Sequence, residues 1–206
     1  YTIYFCLLSK QFKEAFSIEE VRWYLVIILV SALTIAWNVR PLYATLGETL
    51  RHSFFQVGTI ITTTGFATTD FNMWPQLSKT ILLLLMMIGA CAGSTGGGMK
   101  VSRVLILFKA IRKELSMMIH PRMVKKIKMD GHNLSHETLR STNVYMTAYF
   151  IVLFVSLLIV SLDEYDLTTN FTAVLATLNN IGPGLELVGP TQNLSLIHIS
   201  EPTRPY

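Results

Sequence analysis

Three short stretches hold the residues whose type and spacing could do chemistry, and in each the working atoms belong to the backbone. Thr62, Thr63, Thr64 and Gly65 form the first, Asn179, Asn180, Ile181 and Gly182 the second, and the run GACAGSTGGGMK at 89–100 the third. In the first two, an apolar segment of about a dozen residues, beginning near Ser53 or Asn170, leads into the glycine. A helix of that length covers about 18 Å, roughly half of a hydrocarbon core, so it can dip into a membrane and return but not cross. Entering from outside, its C-terminal end points partial negative charge at the membrane centre, where a cation is favoured. The loop that follows can aim carbonyls at a pore axis and replace the hydration shell of K⁺. Glycine suits that loop because aligned carbonyls take the chain into φ/ψ regions where a Cβ clashes. Thr63, Thr64, Gly65, Asn180, Ile181 and Gly182 are the ion-binding candidates.

The third stretch would unwind a membrane helix. Glycine costs about 1 kcal/mol relative to alanine at each helix-interior position, and Gly96, Gly97 and Gly98 are consecutive. Non-helical backbone at membrane depth must border a pore or cavity, so Gly93, Ser94, Thr95, Gly96, Gly97 and Gly98 read as a flexible gate. Close helix packing through the Gly93–Gly97 GxxxG pair is the competing reading. A phosphate-binding loop is excluded, because Met99 separates Gly98 from Lys100 and no strand precedes.

The elements that must position these loops are membrane helices. The chain has 206 residues, 51% hydrophobic and only 15% charged, against about 25% charged in a soluble domain. Three uncharged runs lie between Arg22 and Arg40, Lys79 and Lys100, and Arg140 and Asp163. Each approaches the roughly 20 residues needed to cross, and Trp23, Tyr24 and Trp37 flank the first as interface anchors. None has the pattern of a signal peptide. Lys10, Lys13, Arg22 and the ten basic residues from Lys100 to Arg140 fall on one side, against Arg40, Arg51 and Lys79 on the other. The positive-inside rule puts the first group in the cytoplasm. The net charge of +4 is this asymmetry and calls for no nucleic acid. The expected fold is an all-α polytopic membrane protein.

Other candidates carry less. Cys6 and Cys91 match no metal spacing and read as packing residues. The triplets at Asn133 and Asn170 are chance glycosylation patterns, and His120, His132 and His136 belong to a solvated loop. Asp163, Glu164 and Asp166 could concentrate cations at a mouth or simply cap the half-helix, and Asp70 carries the same ambiguity. No His pair, Ser/Lys pair or Asp pair lies at membrane depth, which argues against an enzyme, and no cofactor is expected beyond a transported ion.

Laying Gly65 over Gly182, an offset of 117, pairs Phe54 with Phe171 and Val57 with Val174. The shared order of spanning helix, half-helix and glycine loop predicts one full repeat and most of a second. The boundaries read as a cytoplasmic end of a preceding repeat (1–20), a repeat with a broken second helix (21–115), a cytoplasmic linker (116–138) and a partial repeat (139–193). An ion-coupled secondary transporter with a broken-helix midplane site is the alternative to a conduction pathway, but it would need polar or charged side chains within the spans.

The segments SIEEVRWYL, TTTGFATTDFNMWP, IGACAGSTGGGMKVSRVLILFK and ATLNNIGPGLE resemble the third and fourth repeats of the TrkH-type potassium uptake family, in the Trk/Ktr/HKT superfamily. The resemblance implies four such repeats around one pore, each giving one filter strand, with Gly65 and Gly182 matching the third and fourth filter glycines. It implies that residues 93–98 are the intramembrane gating loop, and that this part alone would not conduct. It also implies a homodimer, a cytoplasmic nucleotide-binding regulatory subunit (TrkA-like), and a multi-pass place in the lipid of the bacterial inner (plasma) membrane. The basic stretch 109–128 could dock that subunit or serve only as positive-inside anchoring. After Asn193, LSLIHISEPTRPY departs from the family; 194–204 resembles a translated transposon-type sequencing adapter, so 194–206 reads as an assembly artefact, or else as a short amphipathic tail.

Overall fold

The computed structural model describes residues 16–120, 126–162 and 165–190. Cys6, Lys10, Lys13, Arg122, Lys125, Asp163, Glu164 and the suspected adapter stretch 194–206 lie outside the described residues.

Among the described residues, two helices are long and apolar enough to cross a membrane. Helix α1, Glu19–Val39, opens with Glu19 and Glu20 in its first turn, where the helix dipole favours negative charge, and runs into a tight turn at Arg40–Leu42. Helix α5, His136–Val160, is capped by Ser135, whose Oγ accepts from the Thr138 N–H at 3.1 Å. Only 22% and 17% of their apolar windows are buried. A core helix of a soluble protein would hide most of that surface; here Leu29, Val30, Leu33, Phe154 and Leu158 face outward. Both helices start a few residues before the uncharged runs, because Glu19, Glu20, His136 and Arg140 cost nothing in the first turns at the membrane edge.

Two shorter helices dip between them. Helix α2, Leu46–Ile61, is 16 residues, about 24 Å. Helix α6, Leu167–Leu178, is 12 residues, about 18 Å. The first begins well before Ser53 because Thr45 caps it, its side chain accepting from the Glu48 N–H at 3.2 Å in a Thr-x-x-Glu arrangement. Asp166 caps the second in the same way, through Thr168 N–H at 3.0 Å. The third apolar run is divided: α3 covers Gln76–Ile88, the chain leaves helical geometry at Gly89, and α4 resumes over Val101–Ile119.

Between α4 and α5 the described residues hold a short hairpin, β1 (Lys128–Met129) against β2 (His132–Asn133). His132 sits in that hairpin and His136 opens α5, so they share no helix face.

The buried core joins all of these elements. Ile35 and Val39 of α1, Val57, Ile60 and Ile61 of α2, Leu82, Leu85 and Met86 of α3, Leu153 of α5 and Leu175 of α6 are all at most 2% exposed. Helix α3 packs against α2 and also against α6, so it is the shared wall between the two half-helices.

Replacing the cap, Thr45→Ala, should lower stability by about 1 kcal/mol, read as a drop in thermal unfolding midpoint in detergent. An unchanged midpoint would mean that water serves the Glu48 N–H equally well.

Candidate functional site

The two half-helices end in the same local structure. Helix α2 closes with Thr63 N–H donating to Ile60 O at 3.1 Å and Thr64 N–H to Thr59 O at 2.9 Å. Helix α6 closes with Asn180 N–H donating to Thr177 O at 3.2 Å and Ile181 N–H to Ala176 O at 2.9 Å. Both patterns are the paired bonds of a Schellman cap, which needs a left-handed residue just past the helix end. Thr63 (φ 56°) and Asn180 (φ 52°) supply it, and Gly65 (φ 83°) and Gly182 (φ 102°) follow two residues later, also left-handed. Each pair keeps the 117-residue offset. A left-handed threonine costs about 1–2 kcal/mol, which the two capping bonds and the Thr62 hydroxyl offset: that hydroxyl donates to Gly58 O at 2.7 Å and lies 2.8 Å from the Thr64 hydroxyl.

These caps bring the two loops side by side. A Cβ built on Gly65 would overlap the carbonyl oxygen of Ile181. Ile181 is 3% exposed, so its side chain fills the core while its carbonyl faces the neighbouring loop. Asn180, Gly182, Thr62 and Thr64 are exposed and Thr63 half-buried, leaving one open face along the pair.

Asn179 fixes the second loop from behind. Its side chain is fully buried, with Oδ1 accepting from the Tyr149 hydroxyl of α5 at 3.1 Å and Nδ2 donating to Met86 O of α3 at 3.0 Å. One amide therefore ties the loop to two neighbouring helices.

The glycine stretch meets both loops from one side. At Gly96 a Cβ would lie 2.6 Å from Thr63 Oγ1, and at Gly97 it would overlap the Asn179 carbonyl. The excursion spans 89–98, within the run 89–100. Its ends are stitched: Met99 N–H donates to Met87 O at 3.1 Å, Lys100 N–H to Ile88 O at 2.8 Å and Val101 N–H to Ala90 O at 3.2 Å. The carbonyls that α3 would leave open are thus taken by the returning chain. The GxxxG reading fails at one of its two members, since Gly93 has open space around it while Gly97 is in contact.

Further contacts hold the excursion from its flanks. Lys100 Nζ donates to Ser94 O, and the Tyr145 hydroxyl of α5 donates to Gly98 O at 3.2 Å. The Arg103 guanidinium stacks over the Tyr145 ring, 4.0 Å from its centroid. Glu20 of α1 accepts from Ala92 N–H at 2.6 Å. On the opposite surface, Asn72 and Glu186 bridge the two units, with Glu186 N–H donating to Asn72 Oδ1 at 2.9 Å and Asn72 Nδ2 to Glu186 O at 3.1 Å. Asp70 and Asp166 both cap helical turns, accepting from Asn72 N–H and Thr168 N–H at 3.0 Å. Among the described residues no cluster of His, Cys, Asp or Glu could hold a metal.

Glu20, Tyr145, Tyr149 and the Asn179 side chain were not singled out from sequence. Glu20 meets its partner across 72 positions, a distance at which no spacing rule operates. Asn179 carried a signal, an asparagine at the end of an apolar half-helix, but that alone suggests a cap rather than a bridge.

A family model described as TrkH, cation transport protein, matches residues 12–198. The Trk system potassium uptake proteins TrkH of Salmonella typhimurium and Escherichia coli K12 are 38% and 37% identical over 191 residues, 91% of this chain and 40% of theirs. TrkG of the same Escherichia coli strain is 32% identical over 189 residues. The crystal structure of the potassium transporter TrkH from Vibrio parahaemolyticus superposes with a TM-score of 0.82 at 34% identity, covering 91% of this chain and 41% of that one. The chain thus spans about 40% of the length of the curated relatives.

Substituting Asn179→Ala should leave the Tyr149 hydroxyl and Met86 O without partners, at about 1–3 kcal/mol for each buried group. Unfolding in detergent should show a combined loss of roughly 2–6 kcal/mol; a loss below about 0.5 kcal/mol would mean that neither bond matters to the fold.

Proposed function

Because the chain belongs to the TrkH family of cation transport proteins, we propose that it forms one side of a membrane pathway for K⁺, with the loops at Thr63, Thr64, Gly65 and at Asn180, Ile181, Gly182 as two strands of its selectivity filter. The observation that carries this reading is the repeated cap: left-handed residues at 63 and 180, then left-handed glycines at 65 and 182, with the two loops in contact. Such loops hold carbonyls in a fixed spacing, and a fixed spacing is what lets carbonyl dipoles replace a hydration shell at little reorganisation cost. The half-helices α2 and α6 add the negative ends of their dipoles behind the loops. No covalent step is involved, so the protein is a transporter rather than an enzyme.

Gly93, Ser94, Thr95, Gly96, Gly97 and Gly98 act as the gate in this reading. Their approach to Thr63 and to the Asn179 carbonyl supports a position across the cytoplasmic side of the filter. The remaining filter strands come from the further repeats expected in the complete protein, which works as a homodimer in the bacterial inner membrane. Its regulatory partner is a nucleotide-binding subunit of the Trk system. The docking surface for that subunit is the basic face of α4 and the hairpin, where Lys109, Arg112, Lys113, Lys126 and Lys128 line a pocket of about 160 Å³.

In the complete transporter, Gly65→Ser should reduce K⁺ uptake at least ten-fold, since any side chain there overlaps Ile181 O and a left-handed β-carbon adds strain. Unchanged uptake by potassium-starved cells would remove Gly65 from the filter. Deleting Gly96, Gly97 and Gly98 should change flux and its regulation while leaving the K⁺/Na⁺ ratio as it was; a change in ratio alone would sink the gate assignment.

A further inference from the structure

One carboxylate is bonded on both flanks of residues 93–98. Glu20 Oε1 accepts from Ala92 N–H at 2.6 Å and from Ser102 N–H at 3.2 Å. Ala92 comes just before the 93–98 stretch, and Ser102 lies in the first turn of α4, whose free N–H groups and dipole favour an anion. Hydrogen bonds to an ionised acceptor are roughly twice as strong as neutral ones, so Glu20 is a firm anchor for an otherwise loosely bonded loop.

The neighbouring residue looks the other way. Glu19 Oε2 takes Lys109 Nζ of α4 at 2.6 Å, and the same Nζ donates to Lys128 O of the hairpin at 2.7 Å. Glu19 N–H donates to Asp130 Oδ1, at the hairpin turn, at 2.6 Å. Asp130 is itself left-handed (φ 51°), as a tight hairpin turn requires. The first turn of α1 therefore stands between the cytoplasmic hairpin on one side and the glycine excursion on the other, bonded to both.

We propose that the Glu19–Glu20 turn is a clamp: Glu20 is a positioning residue that holds the excursion against the two filter loops, and the hairpin Lys128–Asn133, through Asp130 and Lys109, sets how firmly the turn is held. This rests on the reading of residues 93–98 as the gate. In the geometry described, the clamped excursion lies against Thr63 and Asn179, so the clamped form is the less conducting one. A regulatory event that draws the hairpin away from α1 loosens Glu20 and lets the excursion withdraw. Physical coupling through such a two-sided element needs only that both partners bias the same turn.

The test uses the complete transporter in liposomes, without its regulatory subunit, and reads K⁺ flux, K⁺/Na⁺ ratio and hydrogen exchange at the Ala92 and Ser102 amides. Glu20→Ala should raise basal flux about ten-fold, the effect of losing roughly one charge-assisted hydrogen bond, with an unchanged ratio and faster exchange at both amides. Glu20→Gln, which keeps the acceptor oxygen and the fold, should fall between. Asp130→Ala should raise flux by a smaller factor, and the double variant should equal Glu20→Ala rather than multiply the two effects. Unchanged flux in both Glu20 variants, or strictly multiplicative effects with Asp130→Ala, overturns the clamp. Gly97→Ala separates the two readings: if it changes flux while Glu20→Ala does not, only the clamp fails, and if neither changes flux the gate assignment fails with it.

Discussion

Backbone polar groups inside a membrane have no water to turn to, and each one left unpaired costs several kcal/mol. A helix interrupted at Gly89 would normally leave carbonyls and amides of that kind on both sides of the break. Here the returning chain donates from Met99, Lys100 and Val101 to Met87, Ile88 and Ala90, so the ladder resumes almost where it stopped. The ten residues between are a sideways excursion from a nearly continuous helix rather than a gap in it. That stitching decides where the excursion can go: it leaves α3 on the side of the two half-helix loops, and only residues without a Cβ fit where it meets the Asn179 carbonyl. The glycine at 97 is thus a consequence of close approach to backbone, beyond any need for flexibility.

The two units solve one backbone problem with different side chains. Both need a left-handed residue after the half-helix and a glycine two positions on. In the first, hydroxyls supply the support, with Thr62 reaching back to Gly58 and across to Thr64. In the second, the Asn179 amide reaches sideways to Tyr149 and Met86. The equivalence lives in φ angles and capping bonds, not in residue identity, which is why the sequence offset pairs few identical residues beyond Phe54, Val57 and the glycines.

Much of this was legible in the chain itself. The uncharged runs that became α1 and α5, the half-length helices, and the break in the third run all follow from periodicity, length and the cost of glycine in a helix. Boundaries were less legible: Thr45 and Glu48 start α2 earlier than the apolar pattern implies, because a cap is a polar signal outside that pattern. The hairpin at Lys128–Asn133 was hidden because two-residue strands leave no alternation to read. The bridges from Asn179 to Met86 and from Glu20 to Ala92 were not readable, since these partners lie 93 and 72 positions away and take part through backbone atoms that carry no residue-specific mark.

What the structure distributes unevenly is stiffness. Both half-helix loops are held by paired capping bonds, and the second also by a fully buried amide and an isoleucine packed in the core. The excursion is held by groups at its margins instead, namely Glu20, Lys100 and Tyr145, while its own internal bonds are few, chiefly Ser94 N–H to Cys91 O and Gly96 N–H to Ser94 Oγ. Ala92, Gly93 and Thr95 are exposed. Breaking a buried pair leaves an unsatisfied group in a dry interior, whereas a marginal pair exchanges its partner for water at a fraction of that cost. The bonds at the margins of the excursion are therefore the ones that exchange for water most cheaply. In the reading proposed above, that order puts the stiffer part of the chain in the loops that would space an ion and the softer part in the excursion that would gate them.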